Sequence, residues 1–455
     1  MEKILNTNNG LIYNVEDRPS FKDALFAAFQ HLLAIIVALI TPPLIISKAI
    51  GLDIATTSFL VSMSFCISGF ATFIQCKRMG HVGCGLLCVQ GTSFSFIGPI
   101  IAIAAVGGLP LVFGAIIMGA PIEIVVSYTF KYLRKVITPL VSGIVVMLIG
   151  LTLIKAGITA CGGGNADAAD FGSLQNLGIS VMVMAFVVFF NNCRNHYLRM
   201  SSILLSVVIG YVVSFALGMV DFSELGNTAN STVNIPVPFK MGVDFSFSAF
   251  LSIALIYLVT AIEATGDITA NSLISGQSIE GESYVKRVSG GILSDGLSSL
   301  VAGIFCSFPI SIFAQNNGII QLTGVASRRV GYYISGMLIL LSIFPVVGMA
   351  FSLMPSPVLG GATLLMFGTV AAAGIRIISS QKLTNPDLLV LAVSLALGMG
   401  VELMPQILNH LPDSIRTIFA SGITTGGVTA IALNTILKFF NKQHHSKTVT
   451  HIKIK

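Results

Sequence analysis

Charge is what this chain has least of. Only 10% of its 455 residues are Asp, Glu, Lys or Arg, against 54% that are hydrophobic. No charged residue falls between Asp23 and Lys48, Asp53 and Lys77, Lys135 and Lys155, Asp170 and Arg194, Arg199 and Asp221, or Arg416 and Lys438. An apolar run of about 18 residues or more is long enough to cross a bilayer. A domain count scaled to soluble proteins therefore does not apply.

Other absences narrow the function. Residues 1–22 are polar, and the first apolar run is too long for a secretory leader and carries Gln30 and His31. The seven cysteines sit mostly inside apolar runs and give no disulfide framework. Cys84 and Cys88, four apart on an expected apolar helix, read as packing residues. There is no nucleophile–base set, no metal-ligand spacing and no phosphate loop, which argues against a membrane enzyme and against a cofactor. The net charge of +6 does not imply nucleic acid, because charges of both signs mostly sit in short loops.

What remains is a series of apolar runs. Two longer uncharged stretches, 82–122 and 330–375, are interrupted by GGLP at 107–110 and MPSP at 354–357, so each reads as a pair of spans. Fourteen spans result, near 24–48, 54–76, 84–106, 109–130, 136–155, 173–193, 200–220, 245–268, 287–305, 307–326, 330–353, 356–376, 384–404 and 416–440. With the N-terminus in the cytoplasm, 21 of the 25 Lys and Arg fall inside, and only Lys48, Lys155, Lys240 and Arg416 fall outside. An error of one span in the middle would invert that bias downstream, so both termini are expected in the cytoplasm. Segments 1–23 and 441–455 read as its solvated ends, and the Gly-rich acidic stretch 156–172 as an external loop.

One polar stretch interrupts the apolar pattern: AQNNGIIQLTGVASR, residues 314–328. A plain helix there would bury several amides at membrane depth. Seven spans per half is an odd number, so any internal repeat must be inverted. The third span holds CVQGTSFSFIGP (88–99) and the tenth CSFPISIFAQNNG (306–318), at corresponding positions. Each contains a period-2 stretch, TSFSF at 92–96 and FPISIF at 308–313. The pattern predicts an all-α polytopic membrane protein with short antiparallel strands in spans 3 and 10. Each strand would lead into a half-helix whose N-terminus offers free N–H groups.

Ionisable groups within spans are costly and are functional candidates by default. They are His31, Glu123, Glu263, Asp267 and Asp295. Glu263 and Asp267 lie four apart on one helix face, where two ionised carboxylates would repel; one then holds a proton or finds a partner. Asp267 is expected nearer the cytoplasmic mouth. Asp295 reads either as a proton-carrying group or as one held in a structural ion pair or an amide clamp. His31 reads as a ligand-facing group or a structural hydrogen bond, and Glu123 as structural. Gln315 and Asn316 each offer a donor and an acceptor in one plane, which matches a planar heterocycle with adjacent C=O and N–H groups. Their bland alternative is to tie helices together.

At these residues the chain resembles the nucleobase–ascorbate transporter family, also called nucleobase:cation symporter-2, and most closely its bacterial xanthine permease branch. The signature Q-N-x-G, four residues, then Thr and a small or basic residue stands here as Gln315, Asn316, Asn317, Gly318, IIQL, Thr323 and Gly324. TAIEATGDITA, SDG and QGTSFSF accompany it, and the resemblance covers essentially the whole chain. It implies a core domain (24–130 and 245–353) moving against a gate domain (136–220 and 356–440), a homodimer through the gate domains, and the cell inner membrane. By motif position it implies that Glu263 is the substrate-binding carboxylate and Gln315 its amide partner. It implies that Asp295 serves proton coupling with Glu263 and Asp267, and that Asn316 sets affinity and specificity. His31 matches the first-span histidine of the branch, Ser93 a position that tunes purine choice, and Phe94 one that stacks on the ligand or offers its backbone N–H. Uracil-transporting relatives carry glutamate at the Gln315 position, so glutamine favours a purine. Some xanthine permeases carry Asn at the Ser93 position, which leaves uric acid open as a second substrate. The expectation is proton-coupled symport of a purine, xanthine first. A channel would need a continuous polar lining, and an anion exchanger of similar fold would favour a cationic site.

Overall fold

A chain without water around it must satisfy its own N–H and C=O groups, and helices do so within one segment. The computed structural model describes residues 11–133, 138–220, 235–379, 381–412, 416, 419 and 421–452, and it is mostly helical. In chain order it runs α1 (Phe21–Ala49), α2 (Ile54–Lys77), β1 (Gln90–Thr92), α3 (Ile97–Leu133), α4 (Pro139–Gly162), α5 (Leu174–Asn191), α6 (His196–Met200) and α7 (Ser202–Ala216). Then follow α8 (Phe247–Ile274), α9 (Gly281–Ile304), β2 (Ile310–Ile312), α10 (Gln315–Thr323), α11 (Val330–Ile343), α12 (Pro345–Ser352), α13 (Ser356–Ser379), α14 (Asn385–Leu403) and α15 (Gly422–Ile452). Among the described residues eight helices are long and apolar enough to cross a membrane, or nine if α11 and α12 count as one. Side chains of Ser20, Asp53, Thr138 and Ser173 accept first-turn N–H groups and so start α1, α2, α4 and α5.

Several expected limits are corrected. The third span is not helical before Ile97. Gly83 and Gly85 adopt positive φ, so Cys84 and Cys88 lie in a loop and not on a helix, although both are buried and all seven cysteines are free. The GGLP signal does break α3, at Gly107 and Gly108. The span expected at 330–353 bends by 80° between α11 and α12. Pro345 explains this, since its ring cannot continue the preceding helical turn. Helix α8 runs on to Ile274, beyond the expected limit at 268, and Asp267 is buried within it. Helix α15 continues through Ile452 into the stretch expected to be a solvated tail. Of the cations in the charge count, Lys3, Arg134, Lys135, Lys453 and Lys455 lie outside the described residues.

The two strands pair antiparallel, with Gln90 opposite Ile312, Gly91 opposite Ser311 and Thr92 opposite Ile310. Phe313 N–H to Val89 O (2.9 Å) and Ser93 N–H to Pro309 O (2.8 Å) extend the ladder at both ends. This pairing is what lets extended backbone sit inside an apolar protein. The first strand lies earlier than the 92–96 alternation suggests, because Phe94–Phe96 form a 3-10 turn leading into α3. Glycine is required at Gly91: a Cβ there would collide with the Phe313 ring and Leu39. Elsewhere α4 and α13 pack backbone to backbone, and a Cβ at Gly150, Gly360 or Gly374 would strike the opposing main chain.

Candidate functional site

The strand pair brings two helix N-termini together, that of α3 after the 3-10 turn and that of α10 after β2. Helix α8 passes beside them and presents Glu263. The Ser95 hydroxyl donates to Glu263 Oε2 at 3.1 Å, so the 3-10 turn fixes that carboxylate. Glu263 and Gln315 are each half-buried, while Ala314 and Gly318 are exposed. A Cβ at Gly266 or Gly318 would meet nothing within 4 Å. These positions therefore border an open cleft. Among the described residues no hydrogen bond occupies the Gln315 amide or joins it to Glu263. The Gln315 amide can both donate and accept, and Glu263 keeps accepting capacity beyond its bond from Ser95.

The Phe94 ring lies in the same 3-10 turn as Ser95. It stacks on Phe313 (centroids 6.1 Å apart, planes at 24°) and meets Phe367 of α13 edge-on at 5.7 Å. Ser93 is buried, its N–H is spent on the ladder, and its hydroxyl has no partner among the described residues.

Asn316 has one engaged and one unpaired side-chain atom, since its Oδ1 has no partner among the described residues. It is fully buried and donates to Leu87 O at 2.5 Å. His31, also fully buried, lies beside Asn316, but neither ring nitrogen makes a hydrogen bond of good geometry. Asn271 donates to Leu87 O (2.9 Å) and to Asn317 Oδ1 (2.8 Å), and Asn317 donates to Asp267 O (3.3 Å). This amide cluster pins α10 to α8. The Asp267 carboxylate is buried one turn beyond Glu263.

Asp295 stands behind the strands and is fully buried. Its Oδ1 accepts from Gln90 Nε2 at 2.6 Å and Gln75 Nε2 at 3.3 Å, while Oδ2 has no partner among the described residues. It is thus held in an amide clamp on the far side of β1. Glu123, fully buried on α3, touches Thr260 Oγ1 at 3.2 Å.

Sequence reasoning did not single out Ser95, Gln75, Gln90 or Asn271, and it gave Asn317 no role beyond its place in the signature. A signal was there for Asn271: Glu263, Asp267 and Asn271 repeat at four-residue steps and make one polar stripe along α8, with Ser275 just past its end. Among the described residues no group of three or more His, Cys, Asp or Glu could hold a metal ion.

Known proteins fit this architecture. The family model Xan_ur_permease, described as a permease family, matches residues 22–407. The xanthine permease XanP of Escherichia coli (strain K12) is 45% identical over 440 residues, covering 94% of this chain and 95% of XanP. The xanthine permease XanQ of the same strain is 46% identical over 448 residues, 96% of either chain. Among solved structures, the murine anion transporter Slc26a9 in its inward-facing state matches at a TM-score of 0.60 and 12% identity, covering 94% of this chain and 69% of that one, which is a likeness of fold alone. The chain is a multi-pass membrane transporter and not an enzyme: it belongs to the permease family of the nucleobase–ascorbate transporters.

Proposed function

We propose that this chain takes up a purine nucleobase, xanthine first, together with a proton. The observation that carries the reading is identity of 45–46% to two xanthine permeases along nearly the whole chain. The geometry agrees with it. Glu263 and Gln315 face one cleft with unoccupied hydrogen-bonding capacity, as an imide and ring N–H edge requires, and Phe94 offers an aromatic face. Glu263, Asp267 and Asp295 are the groups that take and release the proton. No cation reaches any of the three within ion-pair distance among the described residues. Coupling arises because each ligand binds more tightly when the other is present. Asn316 and His31 act on affinity from behind the cleft through the seat of α10.

In this reading fourteen spans cross the inner membrane with both termini in the cytoplasm. A core domain (24–130 and 245–353) moves against a gate domain (136–220 and 356–440), and two copies join through their gates. The Phe94–Phe367 edge contact would then bridge core and gate at the cleft. Uric acid is the second substrate to weigh, because Ser93 leaves a buried hydroxyl unpaired next to the strand.

The test is uptake of radiolabelled xanthine by cells expressing the chain, with uric acid, hypoxanthine, guanine and uracil as competitors. Saturable uptake blocked by xanthine or uric acid but not by uracil is expected. Uptake of uracil alone, or of no purine by a well-expressed protein, overturns the assignment.

A further inference from the structure

A cavity of about 410 Å³ has neither Glu263 nor Gln315 in its lining. Lys48 at the end of α1, Gly98 in the first turn of α3, Lys155 on α4, Ser356 at the start of α13, Glu402 on α14 and Thr424 at the start of α15 all face it. Its charged lining is Lys48, Lys155 and Glu402. The Lys48 ammonium donates to Met354 O at 2.7 Å and Ser356 Oγ at 3.1 Å. Neither lysine comes within ion-pair distance of a carboxylate among the described residues. Glu402 accepts the Gly422 N–H at 3.2 Å, so its charge is partly spent on the N-terminus of α15. The starts of α3, α13 and α15 also present their positive ends to this space. The remaining wall is largely aliphatic, including Ile97 and Leu359, and suits a flat ring.

This cavity is the reverse of the Glu263 cleft in its electrostatics. The cleft has the Glu263 carboxylate, with Asp267 and Asp295 buried behind it, and no cation; the cavity has the exposed Lys155, and Lys48 held by Met354 O and Ser356 Oγ, against one engaged carboxylate. The two regions are linked along the chain, since the turn carrying Ser95, the partner of Glu263, leads directly to Gly98. We propose that the cavity is an antechamber that concentrates the anionic form of an oxidised purine before it reaches Glu263. The proposal rests on the purine reading. Oxidised purines carry acidic ring N–H groups, and xanthine loses its first proton close to neutral pH. The Glu263 carboxylate repels that anion, and the lysines, Lys155 above all, offset the repulsion on the way in.

The experiment measures initial rates of labelled xanthine uptake by the full chain at about pH 6, where xanthine is mostly neutral, and about pH 8.5, where it is mostly anionic. Each variant is compared with the unaltered chain at the same pH, after its amount in the membrane is quantified. Lys155→Gln should leave KM unchanged at the lower pH and raise it about three- to tenfold at the higher, with the maximal rate kept. Glu402→Gln, which keeps an acceptor for Gly422, should lower KM at the higher pH. Lys155→Arg should match the unaltered chain, and about 0.5 M salt should erase the differences. The proposal is overturned if Lys155→Gln and Glu402→Gln shift KM in the same direction, if either leaves it unmoved at the higher pH, or if salt has no effect. Absence of any xanthine uptake by the unaltered chain instead removes the purine reading beneath it.

Discussion

At the scale of single residues, Glu263 and Gln315 meet the ligand in the proposed reading, whereas Asn316, Asn317, Asn271 and Gln90 are engaged by hydrogen bonds within the protein. Replacing Gln315 by Glu keeps the size and removes a donor, so a carbonyl of bound xanthine loses its partner. An unpaired buried polar group costs about 1–3 kcal/mol, so the kcat/KM for xanthine should fall roughly 10- to 100-fold while uracil gains relative to it. Uptake kinetics normalised to protein in the membrane check this; unchanged xanthine kinetics would remove Gln315 from the site. The residues legible in the sequence were those whose presence in a span is expensive, such as Glu263, Asp295 and Gln315. Ser95 and Gln75 were not, because small hydroxyls and amides in spans are common. Ser64, Thr265 and Ser272 here each bond the carbonyl four residues back on their own helices, as such residues do in any helix.

At the scale of elements, the site depends on two three-residue strands. Their existence was legible in the paired period-2 stretches, but their limits were not. The alternation of TSFSF runs straight through the change from strand to 3-10 turn, which period alone cannot mark. Gly91 is the position with no room to spare. Gly91→Ala should destabilise the protein by about 1–3 kcal/mol through overpacking, seen as a lower thermal midpoint in detergent and reduced uptake. Gly178→Ala, on α5 with nothing within 4 Å of the added carbon, is the control and should be close to neutral. A Gly91→Ala protein as stable as its parent would mean that the strands yield more readily than their packing implies. The break at Pro345 could have been read from the proline itself, whereas the length of α8 beyond Asp267 could not, since nothing in NSLIS marks an earlier stop.

At the scale of the whole molecule, the scarcity of charge and its placement carried most of what was legible. They pointed to many spans, and helices of sufficient length and apolarity are present. What the pattern could not supply is which helices touch. A span that is apolar all round gives no amphipathic stripe to aim it, so the contacts of α4 with α13 and of α3 with α9 emerge only from the fold. The same limit hid the cleft and the cavity, whose linings come from residues far apart in sequence. The whole-molecule proposal, alternating access coupled to a proton, reduces to an energetic statement: a proton gradient should drive xanthine uphill. The measurement that addresses it is radiolabelled xanthine uptake by purified protein in liposomes given an alkaline interior. Accumulation above the external concentration, abolished by a protonophore, is the predicted result. Equilibration without accumulation, or accumulation that ignores the protonophore, would contradict it.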